Sequence, residues 1–190
     1  MEIQKKHLTS NQFSRPGTYL NEVKGIVIHY TGNPGTSAQA NRDYFENLRL
    51  QNEVRNVVSS QNLRYASAHY IVGLQGEIIE CIPPTERAYH AGAKTYKPAA
   101  IQRLSTYPNN CTLGIELCHT DKTGNFPQKT LEQAARLAAR LCITYHLSPR
   151  TDIYRHYDIT GKICPRFFVE NEREWLKFIE TVENLMHENA

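Results

Sequence analysis

The stretch Ile26-Val27-Ile28 constrains this chain more than any other. Three β-branched residues in a row suit a strand buried on both faces, and a half-exposed strand would alternate instead. A strand covered on both sides needs helices above and below its sheet. The run ends on His29, and Gly32-Asn33-Pro34-Gly35 breaks the chain just beyond. His29 therefore stands at a strand end, facing a loop. There it can be a core histidine satisfied by the backbone or a metal ligand, and taken alone the position favours the first.

The remaining pattern fills in the layers. Ser37 is placed to cap a helix beginning near Ala38, with Ala40, Tyr44, Phe45 and Leu48 as its inner stripe. Residues 49–65 are polar, with only Val54, Val57 and Val58 as anchors, and fit a helical piece or a loop. Residues 67–74 and 77–82 flank Gln75-Gly76 and predict a β-hairpin that His69 opens and Pro83-Pro84 ends. From 84 to about 111 no period is visible, and a loop of that length in a compact domain usually carries function. Inside it, Ala88-Tyr89-His90-Ala91-Gly92 would suit a substrate-facing wall.

Residues 112–119 predict a buried strand with one carboxylate, Glu116, between Ile115 and Leu117. Such a carboxylate faces solvent or is held for a purpose, because burying it unpaired is costly. Thr130 is expected to cap a long amphipathic helix to about Tyr145. Residues 153–156 predict another strand, and 171–186 a last helix packing Trp175, Phe178, Ile179, Val182 and Leu185. The order β, α, hairpin, β, α, β, α predicts an α/β domain, a mixed β-sheet flanked by helices.

With 190 residues the chain is expected to form one domain, a polar arm over 1–24 and a core over 25–186, acting as a monomer. A net charge of +3 does not call for nucleic acid and would suit a polyanionic surface such as a bacterial wall. No run of about 18 apolar residues predicts a membrane span. Met1–Lys6 leads into no apolar signal-peptide segment, so synthesis in the cytoplasm is expected, with action outside it only after release. Five cysteines without repeated spacing argue against a disulfide framework, and Cys81, Cys118 and Cys142 read as small buried hydrophobes.

One stretch concentrates chemistry. His156, Asp158, Lys162 and Cys164 fall within residues 156–164, where a strand is expected to deliver His156 to a loop that returns Cys164 toward it. Imidazole and thiolate are good zinc ligands. With His29 they make three, and three protein ligands with an open fourth position is the catalytic rather than the structural pattern; His69 or Asp158 as a fourth would make it structural. Hydrolysis of an amide at such a site also needs a proton carrier and an oxyanion partner. Glu116 and Lys162 are the candidates. No HExxH helix is present, which argues against the common zinc peptidases.

These blocks together resemble the zinc-dependent N-acetylmuramoyl-L-alanine amidases that share a fold with phage lysozyme-amidases and peptidoglycan recognition proteins. The blocks are residues 27–31, 67–72, 88–92, 113–116 and 156–165, in family order. The resemblance implies Zn2+ held by His29, His156 and Cys164, Glu116 as general base and then acid, and Lys162 as oxyanion stabiliser. It implies peptidoglycan as partner and, as the cleaved bond, the amide between N-acetylmuramic acid and L-alanine. His69 would lie near the metal without binding it, and His69, His90, Ala91 and Gly92 would face substrate. Some family members place a catalytic tyrosine where this chain has Ala68, which puts more weight on Glu116. Cytosolic recycling amidases carry Asp in place of Cys164, and inactive receptors lack that ligand. The variant looks closest to the Firmicute wall amidases and phage endolysins. A peptidoglycan-binding protein without turnover is the alternative.

Overall fold

The computed structural model describes residues 1–20, 22–52 and 63–188. Its centre is a six-stranded sheet. The strands are β1 (Ile3–Lys5), β2 (Gly25–Tyr30), β3 (Tyr70–Val72), β4 (Ile78–Glu80), β5 (Thr112–Leu117) and β6 (Ile153–Arg155), in the order β1-β4-β3-β5-β2-β6. Strands β3, β5, β2 and β6 run parallel, β4 returns antiparallel to β3, and β1 lies parallel to β4. The mixed α/β sheet expected from the sequence is thus present. Val54, Val57 and Val58 lie outside the described residues.

The helices are α1 (Ala38–Asn47), α2 (Pro98–Arg103), α3 (Gln128–Tyr145), α4 (Pro149–Asp152), α5 (His156–Thr160), α6 (Arg166–Glu170) and α7 (Glu172–Glu188). Side chains alternate across a strand, and the packing follows. Ile26 and Ile28 of β2, with Leu113, Ile115 and Leu117 of β5, meet Ala134, Ala138 and Leu141 of α3 and Phe178 and Val182 of α7 in the main core. On the opposite face Val27 packs with Ala100, Leu104, Tyr154 and Ile159. Ile71, Ile79 and Cys81 pack there with Leu8, Phe13, Ala38 and Phe45. By the same alternation His29 and Glu116 point to this second face.

Several local expectations change. The inner stripe of α1 is Ala38, Asn41, Phe45 and Leu48, whereas Ala40 and Tyr44 are exposed. A polar residue takes the inward place because the Asn41 amide donates to Thr36 Oγ1 at 2.8 Å and the Ser37 carbonyl at 2.9 Å. Ser37 caps α1 as expected, its hydroxyl accepting from the Ala40 amide. Thr130 does not cap α3. The helix starts two residues earlier, and Thr130 donates its hydroxyl to the Gly73 carbonyl, tying α3 to the hairpin. The polar N-terminal arm supplies an edge strand and, among its described residues, two fully buried apolar side chains, Leu8 and Phe13. Residues 84–111 are not all loop: they hold α2 and a 3-10 turn at Pro108–Asn110. All five cysteines are free and buried.

Candidate active site

Three parallel strands end side by side at the same level. His29 is next to last on β2, its register partner on β5 is Glu116, and β6 hands the chain to His156 one residue after Arg155. The carboxyl ends of parallel strands are where α/β sheets place their ligands. The sequence predicts a loop after β6, but His156 instead opens α5. Asp158 shows why. Its carboxylate accepts from the Arg155 amide at 2.8 Å and from the Arg155 guanidinium, and Arg155 also donates to the Phe168 carbonyl at 3.0 Å. Asp158 therefore fixes the strand-to-helix junction. Gly161 in the left-handed region ends α5. The Tyr157 amide then donates to the Cys164 carbonyl at 2.9 Å, which draws Cys164 back beside His156.

One nitrogen each from His29 and His156 and the Cys164 sulfur lie within 4.8 Å of one another, all three residues buried. His29 Nδ1 is 3.8 Å from Cys164 Sγ, and the His29 and His156 ring centroids are 4.7 Å apart. His156 Nδ1 is buried without a hydrogen-bond partner among the described residues. Burial, followed by the neighbouring imidazoles, holds His29 well below the usual imidazole range, and burial together with the Lys162 charge lowers His156 to about 4. Both rings are neutral at pH 7, with lone pairs free for a cation. Burial pushes the Cys164 thiol up to about 12. These three residues can hold a metal ion, and binding one requires the thiol to lose its proton.

Glu116 stands beside this cluster. Its Oε2 is buried without a hydrogen-bond partner among the described residues. Burial raises its pKa to about 8, against the opposing charge of Lys162. A carboxyl poised near neutrality is suited to taking and returning a proton. Lys162 sits on the tight turn where the Cys164 amide donates to the Lys162 carbonyl at 2.7 Å. It is exposed, and its charge acts on Glu116, His29 and His156 together. A cavity of about 450 Å³ joins all five residues.

The residues expected to face substrate divide. His90 and Gly92 line the cavity, while Ala91 is fully buried behind it, its amide donating to Asn109 Oδ1. His69 is corrected. It is fully buried and does not line the cavity, because both ring nitrogens serve the backbone: Nδ1 accepts from the Gly114 amide and Nε2 donates to the Glu86 carbonyl. Sequence reading missed the rest of the wall. Tyr44, Tyr65 and Tyr107, with Arg64 and Asn109, line the same cavity beside Tyr89, which the sequence singles out. The density of tyrosines between 84 and 111 was the available signal for Tyr107.

Fold and site define the class: a mixed-sheet α/β protein whose strand ends gather three residues able to hold a metal ion beside a buried carboxyl. The chain belongs to the N-acetylmuramoyl-L-alanine amidase family, whose model matches residues 19–167. It is 39% identical over 176 residues to a probable N-acetylmuramoyl-L-alanine amidase of Bacillus licheniformis, covering 93% of this chain and 46% of that one. It is 36% identical to the N-acetylmuramoyl-L-alanine amidase CwlL of the same species, covering 98% and 48%. The chain thus spans about half the length of these relatives. The fold recurs in the PlyG catalytic domain (TM-score 0.72, 23% identity, 98% and 96% covered) and in a mutant endolysin from Bacillus subtilis (0.68, 24%, 95% and 98%). No described helix is long and apolar enough to cross a membrane.

Proposed function

We propose that the chain hydrolyses the amide between N-acetylmuramic acid and the L-alanine of the peptidoglycan stem, with zinc held by His29, His156 and Cys164. The convergence of these three donors beside the unpaired Glu116 carboxyl carries the reading. Two neutral imidazoles and a thiol suit zinc rather than the oxygen-seeking cations. Two donors about 2.0 and 2.3 Å from one tetrahedral zinc stand roughly 3.5 Å apart, close to the 3.8 Å between His29 Nδ1 and Cys164 Sγ. When bound, zinc makes water a better nucleophile and polarises a carbonyl.

The chain's own groups do the rest. Glu116, ionised, takes a proton from the attacking water and returns it to the departing amine of L-alanine as the carbon–nitrogen bond breaks. The Lys162 ammonium offsets the charge that grows on the carbonyl oxygen. The tyrosine-rich wall offers aromatic faces and hydroxyls to the glycan and stem peptide. The names of the relatives favour this bond, and peptidoglycan would then be met outside the cytoplasm.

The test is a digest of purified peptidoglycan. New L-alanine amino termini are expected, with their release abolished by a chelator and restored by zinc. Binding to the wall with no new amino termini would overturn the catalytic reading.

A further inference from the structure

Behind the metal cluster the structure holds a file of imidazoles. Ring centroids are 4.7 Å apart from His156 to His29, 5.2 Å from His29 to His90, and 5.7 Å from His90 to His69. The middle pair is hydrogen-bonded, His29 Nε2 to His90 Nδ1 at 3.1 Å. We propose that His90 is a positioning residue that, anchored by Thr112, fixes the tautomer and the facing of His29 as a metal ligand.

The direction of the hydrogen bonds follows from their far end. His90 Nε2 is 3.2 Å from the Thr112 carbonyl and 3.3 Å from Thr112 Oγ1. The carbonyl only accepts. The hydroxyl hydrogen is already given to the Pro108 carbonyl at 2.8 Å, so Oγ1 also meets His90 as an acceptor. Nε2 of His90 must therefore carry the hydrogen. In a neutral ring the other nitrogen, Nδ1, is then an acceptor. Its partner, His29 Nε2, must be the donor, and the lone pair of His29 is left on Nδ1, the atom that faces Cys164. A ligating histidine whose second nitrogen is fixed in this way has its orientation set before the metal arrives.

The fold builds this contact deliberately. The His90 ring packs against β5 at Gly114, where an added Cβ would stand 2.6 Å from His90 Cγ and 2.8 Å from Nδ1. Any side chain at 114 would push the ring off His29. From the other side Asn109 Oδ1 accepts from the amides of His90 at 3.2 Å and Ala91 at 2.8 Å, pinning the backbone that carries the ring. A loop histidine held only as part of a substrate wall would need neither the missing Cβ nor the two anchors on its far nitrogen.

The inference rests on the metal reading above, and its test separates the two. In the metal-free protein, nitrogen-15 NMR of the ring nitrogens is expected to show His90 and His29 both neutral with hydrogen on Nε2. Hydrogen on His90 Nδ1 would overturn the proposal without any variant being made, whatever the protein does with metal. The second arm measures zinc affinity by competition with a chelator and reads the metal's surroundings from the visible spectrum of the cobalt-substituted protein. His90→Phe keeps a ring of similar shape but no acceptor, and is expected to bind zinc about 10- to 100-fold more weakly. His90→Asn offers an oxygen where Nδ1 stood, and is expected to recover most of the affinity and the wild-type cobalt spectrum. Equal loss in both, or none in His90→Phe, would overturn the positioning role. Wild-type protein with the expected tautomers but no zinc affinity would instead sink the metal reading.

Discussion

His29 and Glu116 are register partners on adjacent parallel strands. One strand end therefore presents a metal ligand and its neighbour a carboxyl, at the same height and on the same face. The sheet itself sets the distance between the proposed metal ligand His29 and the proposed proton carrier Glu116, and no loop has to find it.

That placement burdens the fold. Glu116 has a folded pKa of about 8 against an ordinary value of 4.5, raised by burial. Between those values the folded protein binds more protons than the unfolded chain. Stability contributed by the neutral carboxyl is full below 4.5 and falls as pH rises through 8. At pH 7 the burden is about 3 kcal/mol. Glu116→Gln is therefore expected to raise stability at pH 7, to flatten its dependence between pH 5 and 8, and to keep zinc. Turnover should fall about 10²- to 10⁴-fold. Urea unfolding across pH, beside a muropeptide assay, checks both. Full activity in this variant would show that another group moves the proton.

Lys162 acts on Glu116 by its charge, drawing the carboxyl pKa down against the effect of burial. Lys162→Met removes that charge, so the Glu116 pKa rises. The acid limb of the kcat/KM profile, which follows ionisation of the base, is expected to move to higher pH. The plateau should fall about 10²- to 10³-fold through the lost oxyanion partner. An unchanged limb would place Lys162 too far from Glu116 to matter.

Metal and stability are linked through the same cluster. Zinc at 100 times its Kd adds about 2.7 kcal/mol, or roughly 5–10 °C in Tm for a protein of this size. His29→Ala and Cys164→Ser are expected to lose both that shift and the activity. The Cys164 thiol, pushed up to about 12 by burial, is protonated before metal enters. Zinc uptake at pH 7 should then release at least one proton, measurable by calorimetry in buffers of differing ionisation enthalpy. Uptake without proton release would mean the sulfur is not a ligand.

Much of this was legible in the sequence because strands announce themselves. The β-branched run before His29 and the short strand before His156 each put a candidate ligand at a strand end, and the apolar run around Glu116 put a carboxyl inside a buried strand. A parallel sheet brings strand ends together. What sequence hid was set by hydrogen-bond partners that periodicity does not reveal. Asn41 turns inward only because Thr36 folds back to meet it. Thr130 leaves its capping role only because the Gly73 carbonyl is within reach. His69 looked like a groove residue, since nothing local shows that the amide of Gly114, 45 positions on, claims its Nδ1.

His69 yields the last expectation. It is fully buried, and burial lowers its pKa to about 4, the nearby Glu86 opposing only in part. Its two ring nitrogens already serve Gly114 and Glu86, so a second ring proton has to displace the Gly114 amide. Here the folded pKa lies below the unfolded value of 6.5. The stability is full above 6.5 and is lost as pH falls through 4, about 3 kcal/mol from this residue alone. His69→Phe cannot titrate. It leaves the Gly114 amide and the Glu86 carbonyl unpaired, which should cost about 2–3 kcal/mol at pH 7. Its stability should then fall less steeply than that of the wild type between pH 6.5 and 4, by up to one proton's worth of slope. Urea unfolding of the two metal-free proteins across this range reads the difference directly. Parallel curves would mean that the folded protein does not resist proton uptake by the His69 ring, and that the bond from the Gly114 amide does not hold the hairpin to β5.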